Sequence, residues 1–150
     1  MEKYNFGEDV SYLLVHNKLG IKTLEQLEMA EAYAFMIRAL EIENGLYQIA
    51  EFTKQSYMGL HRYLFQDIYT FAGAFRKVQL SKGNTRFCQF QYIDQMADEI
   101  FAALHEEGDW RDIETAAKRL AYFKAELNML HPFREGNGRA TRIFIHAYAR

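Results

Sequence analysis

His131-Pro132-Phe133-Arg134-Glu135-Gly136-Asn137-Gly138-Arg139-Ala140-Thr141-Arg142 is the most informative run in the chain. Ahead of it, Ile113, Ala117, Leu120, Phe123, Leu127 and Leu130 recur at spacings of three and four, which predicts one apolar face of a long helix. Pro132 forbids smooth continuation of that helix beyond His131. A second helix is predicted from about Arg139. The chain thus carries a histidine out of a buried helix into a Gly136-Asn137-Gly138 loop and straight into another helix.

That arrangement has a chemistry. Glycines let successive backbone N–H groups turn toward one point, and a helix start adds its orphan N–H groups and positive dipole end. The natural occupant is a phosphate. Arg139 and Arg142 lie three apart and share a helix face, so both can reach one polyphosphate. A carboxylate at Glu135 beside phosphates is repulsive unless a cation lies between them, which argues for Mg²⁺. His131 is the candidate base, its ordinary pKa lying near the working pH. No Gly-x4-Gly-Lys-Ser/Thr loop, His-Glu-x-x-His or Cys-x-x-Cys motif occurs, which argues against a Walker A site or a zinc site.

Outward from the motif, helical patterns dominate and Pro132 is the single proline. Thr23-Leu-Glu-Gln26 reads as a capping box opening a helix with Leu24, Leu27, Ala30, Ala34, Ile37 and Leu40 on its inner face, ended by Asn44-Gly45. Thr53 is expected to cap a helix through Leu60, Tyr63 and Leu64. Ile93, Met96, Ile100 and Leu104 mark another, broken at Gly108-Asp109. Between them, Val78, Leu80, Thr85 and Phe87 flank the turn-rich Ser81-Lys82-Gly83-Asn84, which predicts a hairpin or bulged loop.

The 150 residues suit one domain, and 49% hydrophobic with 15% aromatic residues is enough for a packed core. With net charge −2 and no basic block, a nucleic-acid surface is not expected. The single cysteine, Cys88, excludes an intrachain disulfide and is expected to be inert. Met1-Glu2-Lys3-Tyr4-Asn5 has no apolar leader, and no stretch is long enough to span a membrane, so a cytoplasmic protein with no membrane partner is expected. The apolar segment from Thr141 to Arg150 carries no helix stop signal, so the domain is expected to lack a C-terminal part.

The 131–142 run matches every fixed position of the Fic family signature, His-x-Phe-x-Asp/Glu-Gly-Asn-Gly-Arg-x-x-Arg. Leu64-Phe-Gln-Asp-Ile-Tyr-Thr-Phe-Ala-Gly-Ala-Phe-Arg76 resembles a second Fic segment, with Phe71 at the usual Trp position. Ser81-Lys82-Gly83 with Phe87 resembles the family's flap. The resemblance implies an all-α, Fic-like helical bundle with a small β-hairpin flap over the active site. It implies a toxin-like protein adenylyltransferase, moving AMP from ATP to a Ser, Thr or Tyr hydroxyl of a target protein.

In that scheme His131 takes the hydroxyl proton and Glu135 holds Mg²⁺. Gly136, Asn137 and Gly138 cradle the α-phosphate, while Arg139 and Arg142 bind the leaving β- and γ-phosphates. Catalysis falls to His131, Asn137 and Arg139, and Ser81, Lys82 and Gly83 dock the target by strand addition. The related Doc branch carries Lys at the second motif glycine and transfers the γ-phosphate, so Gly138 favours AMP. Alternatives at the same site are transfer of UMP, phosphocholine or phosphate, removal of AMP, or a non-catalytic nucleotide- or partner-binding module.

Many Fic proteins are restrained by a Ser/Thr-x-x-x-Glu-Gly/Asn helix. The nearest match, Ala39-Leu-Glu-Ile-Glu43-Asn44, has alanine at its first position and reads as coincidence. Asn17-Lys-Leu-Gly-Ile21 and the following helix resemble the branch restrained by a separate small antitoxin, and a homo-oligomer is left open. His16, His61, His105 and His146 are expected at the surface or partly buried, and Arg134 in solvent. Tyr63, Phe65, Tyr69 and Phe71 are expected to pack the core, and Tyr92 to approach the nucleotide base.

Overall fold

The computed structural model describes residues 9–150. Residues 1–5, read above for a leader, lie outside them. The described residues form helices α1 (Asp9–Val15), α2 (Leu24–Glu43), α3 (Lys54–Phe65), α4 (Ile93–Glu106), α5 (Ile113–Leu130) and α6 (Asn137–Ala149). One antiparallel hairpin, β1 (Ser81–Lys82) and β2 (Thr85–Arg86), precedes a 3₁₀ turn at Phe90–Tyr92. The fold is all-α with a small hairpin.

The helix starts follow local chemistry. Thr23 accepts from the Gln26 N–H at 3.3 Å at the start of α2. The reciprocal box forms one helix later: the Thr53 side chain accepts from the Ser56 N–H (3.1 Å) and Ser56 Oγ accepts from the Thr53 N–H (2.8 Å). Asp112 caps α5 through the Thr115 N–H at 2.7 Å. Gly45, with φ 80°, ends α2 as its sequence predicts.

α3 lies at the centre and packs on α2, α4 and α6, while α5 packs on α4 and α6. Tyr57, Leu60 and Leu64 of α3 are fully buried, together with Phe123 and Leu127 of α5 and Phe144 of α6. The predicted face of α5 is seen in its second half; Ile113 and Ala117, in its first turns, are exposed.

The inner face of α2 departs further from expectation. Ile37 and Leu40 are exposed, and the side facing the bundle carries Leu27, Glu31, Phe35, Arg38 and Ile42. The cause is polar pairing across the α2–α3 interface and the residues that follow α3. Arg38 forms a two-pronged ion pair with Asp67 (2.8 and 2.9 Å), Glu41 accepts from the Tyr63 hydroxyl, and Glu31 accepts from the Tyr69 hydroxyl. These bonds rotate the helix so that charge faces inward.

The Phe144 ring stands edge-on to Phe52, Tyr57 and Phe101, with centroids 5.1–5.7 Å apart. Truncating it opens a cavity where three helices meet. Phe144→Ala is expected to cost about 3–5 kcal/mol of unfolding free energy, measured by urea denaturation.

Candidate functional site

Helix α5 ends at His131, whose backbone is left-handed (φ 45°, ψ 59°), the one non-glycine residue with positive φ among those described. Such a conformation costs of order 1–3 kcal/mol unless the surroundings enforce it. Here Arg76 does so. Its buried guanidinium donates to the carbonyls of His131 (2.7 Å), Val78 (2.7 Å), Cys88 (2.7 Å) and Leu130 (3.2 Å). Its backbone N–H donates to the Pro132 carbonyl at 2.8 Å. One arginine therefore ties the end of α5 to both stems of the hairpin.

Residues 132–137 are all buried. Asn137 closes this loop on itself: its side-chain oxygen accepts from the Phe133 N–H (2.7 Å) and its amide donates to the Phe133 carbonyl (2.6 Å). The Phe133 ring stacks on His61 at 3.8 Å. His61 is fully buried rather than at or near the surface. Its Nδ1 accepts from the Gly73 N–H (2.9 Å), so its Nε2–H donates to the Glu135 carbonyl (2.8 Å). Burial pushes its pKa down to about 3. Arg134 is also buried rather than solvent-facing, and lies 4.5 Å from the Tyr12 ring centroid.

Gly136 holds φ 80°, and a Cβ built there would penetrate the Phe65 ring, so no other residue fits. α6 begins at Asn137, and its first intrahelical bond runs from the Ala140 N–H to the Gly136 carbonyl (3.1 Å). The N–H groups of Asn137, Gly138 and Arg139 thus precede any helical acceptor.

These N–H groups border an open cleft of about 670 Å³, which His131, Glu135, Gly136, Asn137, Gly138, Arg139, Arg142 and Lys82 all line. The hairpin residues Ser81 and Gly83 do not; they face a separate cavity of about 350 Å³. Tyr92 lines a third cavity, beside Phe87 and Met96, away from the glycine loop. Glu43 lies at the surface, 4.0 Å from Arg150.

The His131 ring stacks on Phe87 at 3.7 Å, and one of its nitrogens is hydrogen-bonded to the Asn128 backbone. A ring N–H given to a carbonyl leaves the other nitrogen with a lone pair. Burial, reinforced by the charges of Arg76 and Lys82, lowers its pKa to about 3, so the ring is neutral at pH 7. Arg142 is exposed, with its Nη1 3.1 Å from where a Gly138 Cβ would stand, so any side chain there would crowd it. Arg139 Nη2 is paired with Glu31 and lies 3.7 Å from Glu135, while its guanidinium lies 5.2 and 4.9 Å from the centroids of Phe35 and Phe65.

Three basic side chains (Lys82, Arg139, Arg142) and three acidic ones (Glu28, Glu31, Glu135) border the cleft. Net charge therefore does not favour an anion in the cleft, and one bound there would depend on oriented donors. No group of three or more His, Cys, Asp or Glu side chains gathers around a metal position among the described residues. A cation here would take its ligands from Glu135, phosphate oxygens and water, a donor set of hard oxygens that suits Mg²⁺.

The family model described as Fic/DOC family matches residues 51–149. The chain is 36% identical over 156 residues to the "Probable protein adenylyltransferase Fic" of Escherichia coli (strain K12), covering 99% of this chain and 76% of that protein. The chain belongs to the Fic/DOC family. It is also 38% identical over 140 residues to "Protein adenylyltransferase VbhT" of Bartonella schoenbuchensis, covering 91% of this chain but 29% of that one. The BepC protein of Bartonella tribocorum, solved with bound AMPPNP, superposes with a TM-score of 0.77 at 22% identity, over 88% of this chain and 70% of that one. Another Fic domain, from Bartonella quintana with bound ADP, gives a TM-score of 0.75 at 25% identity, over 88% and 69% of the two chains.

Glu31 lines the cleft and His61 holds its loop from beneath, and the motif announces neither. A signal existed for Glu31: it lies four residues after Leu27 and four before Phe35, a charge on the inward stripe of an apolar helix.

Both His61 and His131 are held neutral in the fold, while each takes a proton near pH 6.5 when unfolded. The unfolded chain then binds more protons between pH 6.5 and 3, so this stability is full above 6.5 and lost as pH falls through that window. His61 alone is expected to account for about 2 kcal/mol of lost stability between pH 7.5 and 5. His131 acts in the same direction. Urea denaturation at the two pH values measures the difference, and His61→Gln removes the His61 part.

Proposed function

We propose that this chain is a protein adenylyltransferase that moves AMP from ATP to a Ser, Thr or Tyr hydroxyl of a target protein. The observation that carries this reading is the meeting, in one cleft, of a neutral histidine, a helix N-terminus with unused N–H groups, a carboxylate and two arginines. The naming of the relatives as protein adenylyltransferases supports it.

In this mechanism the loop of Gly136, Asn137 and Gly138 cradles the α-phosphate, and the N–H groups of Asn137 and Gly138 meet the charge that develops on its oxygens, the Gly136 N–H being donated to Glu135 Oε1 at 3.2 Å. Asn137 acts chiefly as the clamp that fixes the loop. Arg139 and Arg142 bind the β- and γ-phosphates, which leave as pyrophosphate. The target hydroxyl gives its proton to the lone-pair nitrogen of His131. Its oxygen then bonds to the α-phosphorus as the bond to the β-phosphate oxygen breaks. Glu135 would hold Mg²⁺, which when bound neutralises phosphate charge.

The hairpin offers its backbone edge at Ser81, Lys82 and Gly83 to an extended target segment, with Phe87 linking the hairpin to His131. No helix among the described residues is long and apolar enough to cross a membrane. ATP is supplied in the cytoplasm, where we expect the reaction. A separate small antitoxin is the restraining partner we favour, on the resemblance of residues 17–21 and the helix that follows, although Glu43 and Arg142 line one cavity of about 390 Å³.

The test is incubation with cell lysate and ATP labelled at the α- or the γ-phosphate. α-Label on protein, reduced at least about 100-fold in His131→Ala, is expected. Label from the γ-position alone indicates phosphate transfer and overturns AMP transfer. Nucleotide binding without label from ATP or UTP points to a binding module. Expression without neighbouring genes is expected to slow growth with the wild-type chain and not with His131→Ala.

A further inference from the structure

Glu31 is a costly residue where it stands. It lies on the inner face of α2, its side chain 6% exposed, and a buried carboxylate destabilises a fold unless it is closely matched. Both of its oxygens are engaged. Oε1 accepts from Nη2 of Arg139, on α6, and Oε2 from the Tyr69 hydroxyl, four residues beyond α3. The guanidinium so gripped is also stacked near two rings, Phe35 of α2 and Phe65 of α3. Phe65 is the ring that forbids a side chain at Gly136. Arg139 Nη2 is held by Glu31 and lies 3.7 Å from Glu135 Oε1, so the guanidinium is gripped at one corner of its fork.

We infer that Glu31 is a positioning residue: with Tyr69 behind it, it fixes the plane of the Arg139 guanidinium at the polyphosphate end of the cleft. This rests on the adenylyl-transfer reading above. A planar fork has strict directional demands, and one whose orientation is already set loses less freedom when it meets phosphate. The opposing reading makes Glu31 a competitor that occupies Arg139 until phosphate displaces it. The second tether from Tyr69 argues for fixity, because a displaceable carboxylate needs a loose side chain.

The two readings differ in sign. Glu31→Gln removes a negative charge from the cleft. A competitor's removal tightens ATP binding, and a positioner's removal loosens it. AMP has no phosphate for Arg139 to hold, so positioning affects ATP and spares AMP.

The experiment uses the full chain. Calorimetric binding of ATP and of AMP in Mg²⁺, labelled-AMP transfer and thermal midpoint are measured for wild type, Glu31→Gln, Glu31→Asp and Arg139→Ala. Glu31→Gln is expected to bind ATP about tenfold more weakly. AMP binding should stay within about twofold of wild type, and kcat should fall. Added to Arg139→Ala, Glu31→Gln should cost nothing more. Glu31→Asp, which keeps the charge, should recover part of kcat.

Tighter ATP binding in Glu31→Gln overturns the inference. Equal weakening for ATP and AMP, or a lower midpoint with unchanged binding and kcat, also overturns it and leaves a structural role. Should the wild-type chain bind no ATP and transfer no AMP, the functional reading itself falls and this inference with it. That outcome is visible before any variant is made.

Discussion

Six consecutive residues, 132–137, are buried without belonging to helix or strand until the last of them. A loop in that position has peptide groups that water does not reach, and each one left unpaired costs about 1–3 kcal/mol. Several of them find partners in the loop itself or on neighbouring elements. The Asn137 side chain takes both polar groups of Phe133, the His61 ring takes the Glu135 carbonyl, and the Arg76 backbone N–H takes the Pro132 carbonyl, while its guanidinium takes the carbonyl of His131 just before the loop. The central position of α3 follows from this, because it must bring His61 and Phe65 beneath the loop. The Phe133–His61 stack closes the underside, so the loop can present only its other face to solvent.

The same economy governs charge. Arg76 is solvated almost like an ion in water, but by four backbone carbonyls. Arg139 meets Glu31 and two aromatic faces. The histidines inside are kept neutral. Against this rigid frame the hairpin is slight, two residues per strand and largely exposed, which puts it among the elements that open most easily. Its stems are nevertheless fastened by Arg76, and Phe87 lies on His131. The hairpin and His131 are therefore coupled through one aromatic stack.

Legibility in the sequence tracked how local each cause was. The helix starts at Thr23, Thr53 and Asp112 rest on side chains three residues from their partners, and the first two could be read directly. The end of α5 at His131 followed from Pro132. The cleft residues of the 131–142 run were legible because the loop, the helix start and the arginine spacing lie within twelve positions. Long-range pairing was not legible. The inward rotation of α2 depends on Asp67, Tyr63 and Tyr69, some 22 to 38 positions away, and these partners overrule the apolar spacing that favoured Ile37 and Leu40. His61 and Arg134 are buried against expectation for the same reason, because polar residues are ordinarily outside and the partners that bury these two lie on other elements.

A base held at a pKa of about 3 is a weak one, and the bare protein has good reason to keep it so. His131 shares its surroundings with Arg76 and Lys82, whose positive charges oppose protonation, and burial opposes it further. A polyphosphate in the cleft changes the first of these terms. Its negative charge would offset the two cations and favour the imidazolium, so base strength would rise with a nucleotide bound. In the proposed reaction the hydroxyl proton would then meet its acceptor at its strongest with the donor nucleotide in place. With the cleft lined by equal numbers of acidic and basic side chains, the proposed chemistry would draw that offsetting charge from the ligand rather than from the protein.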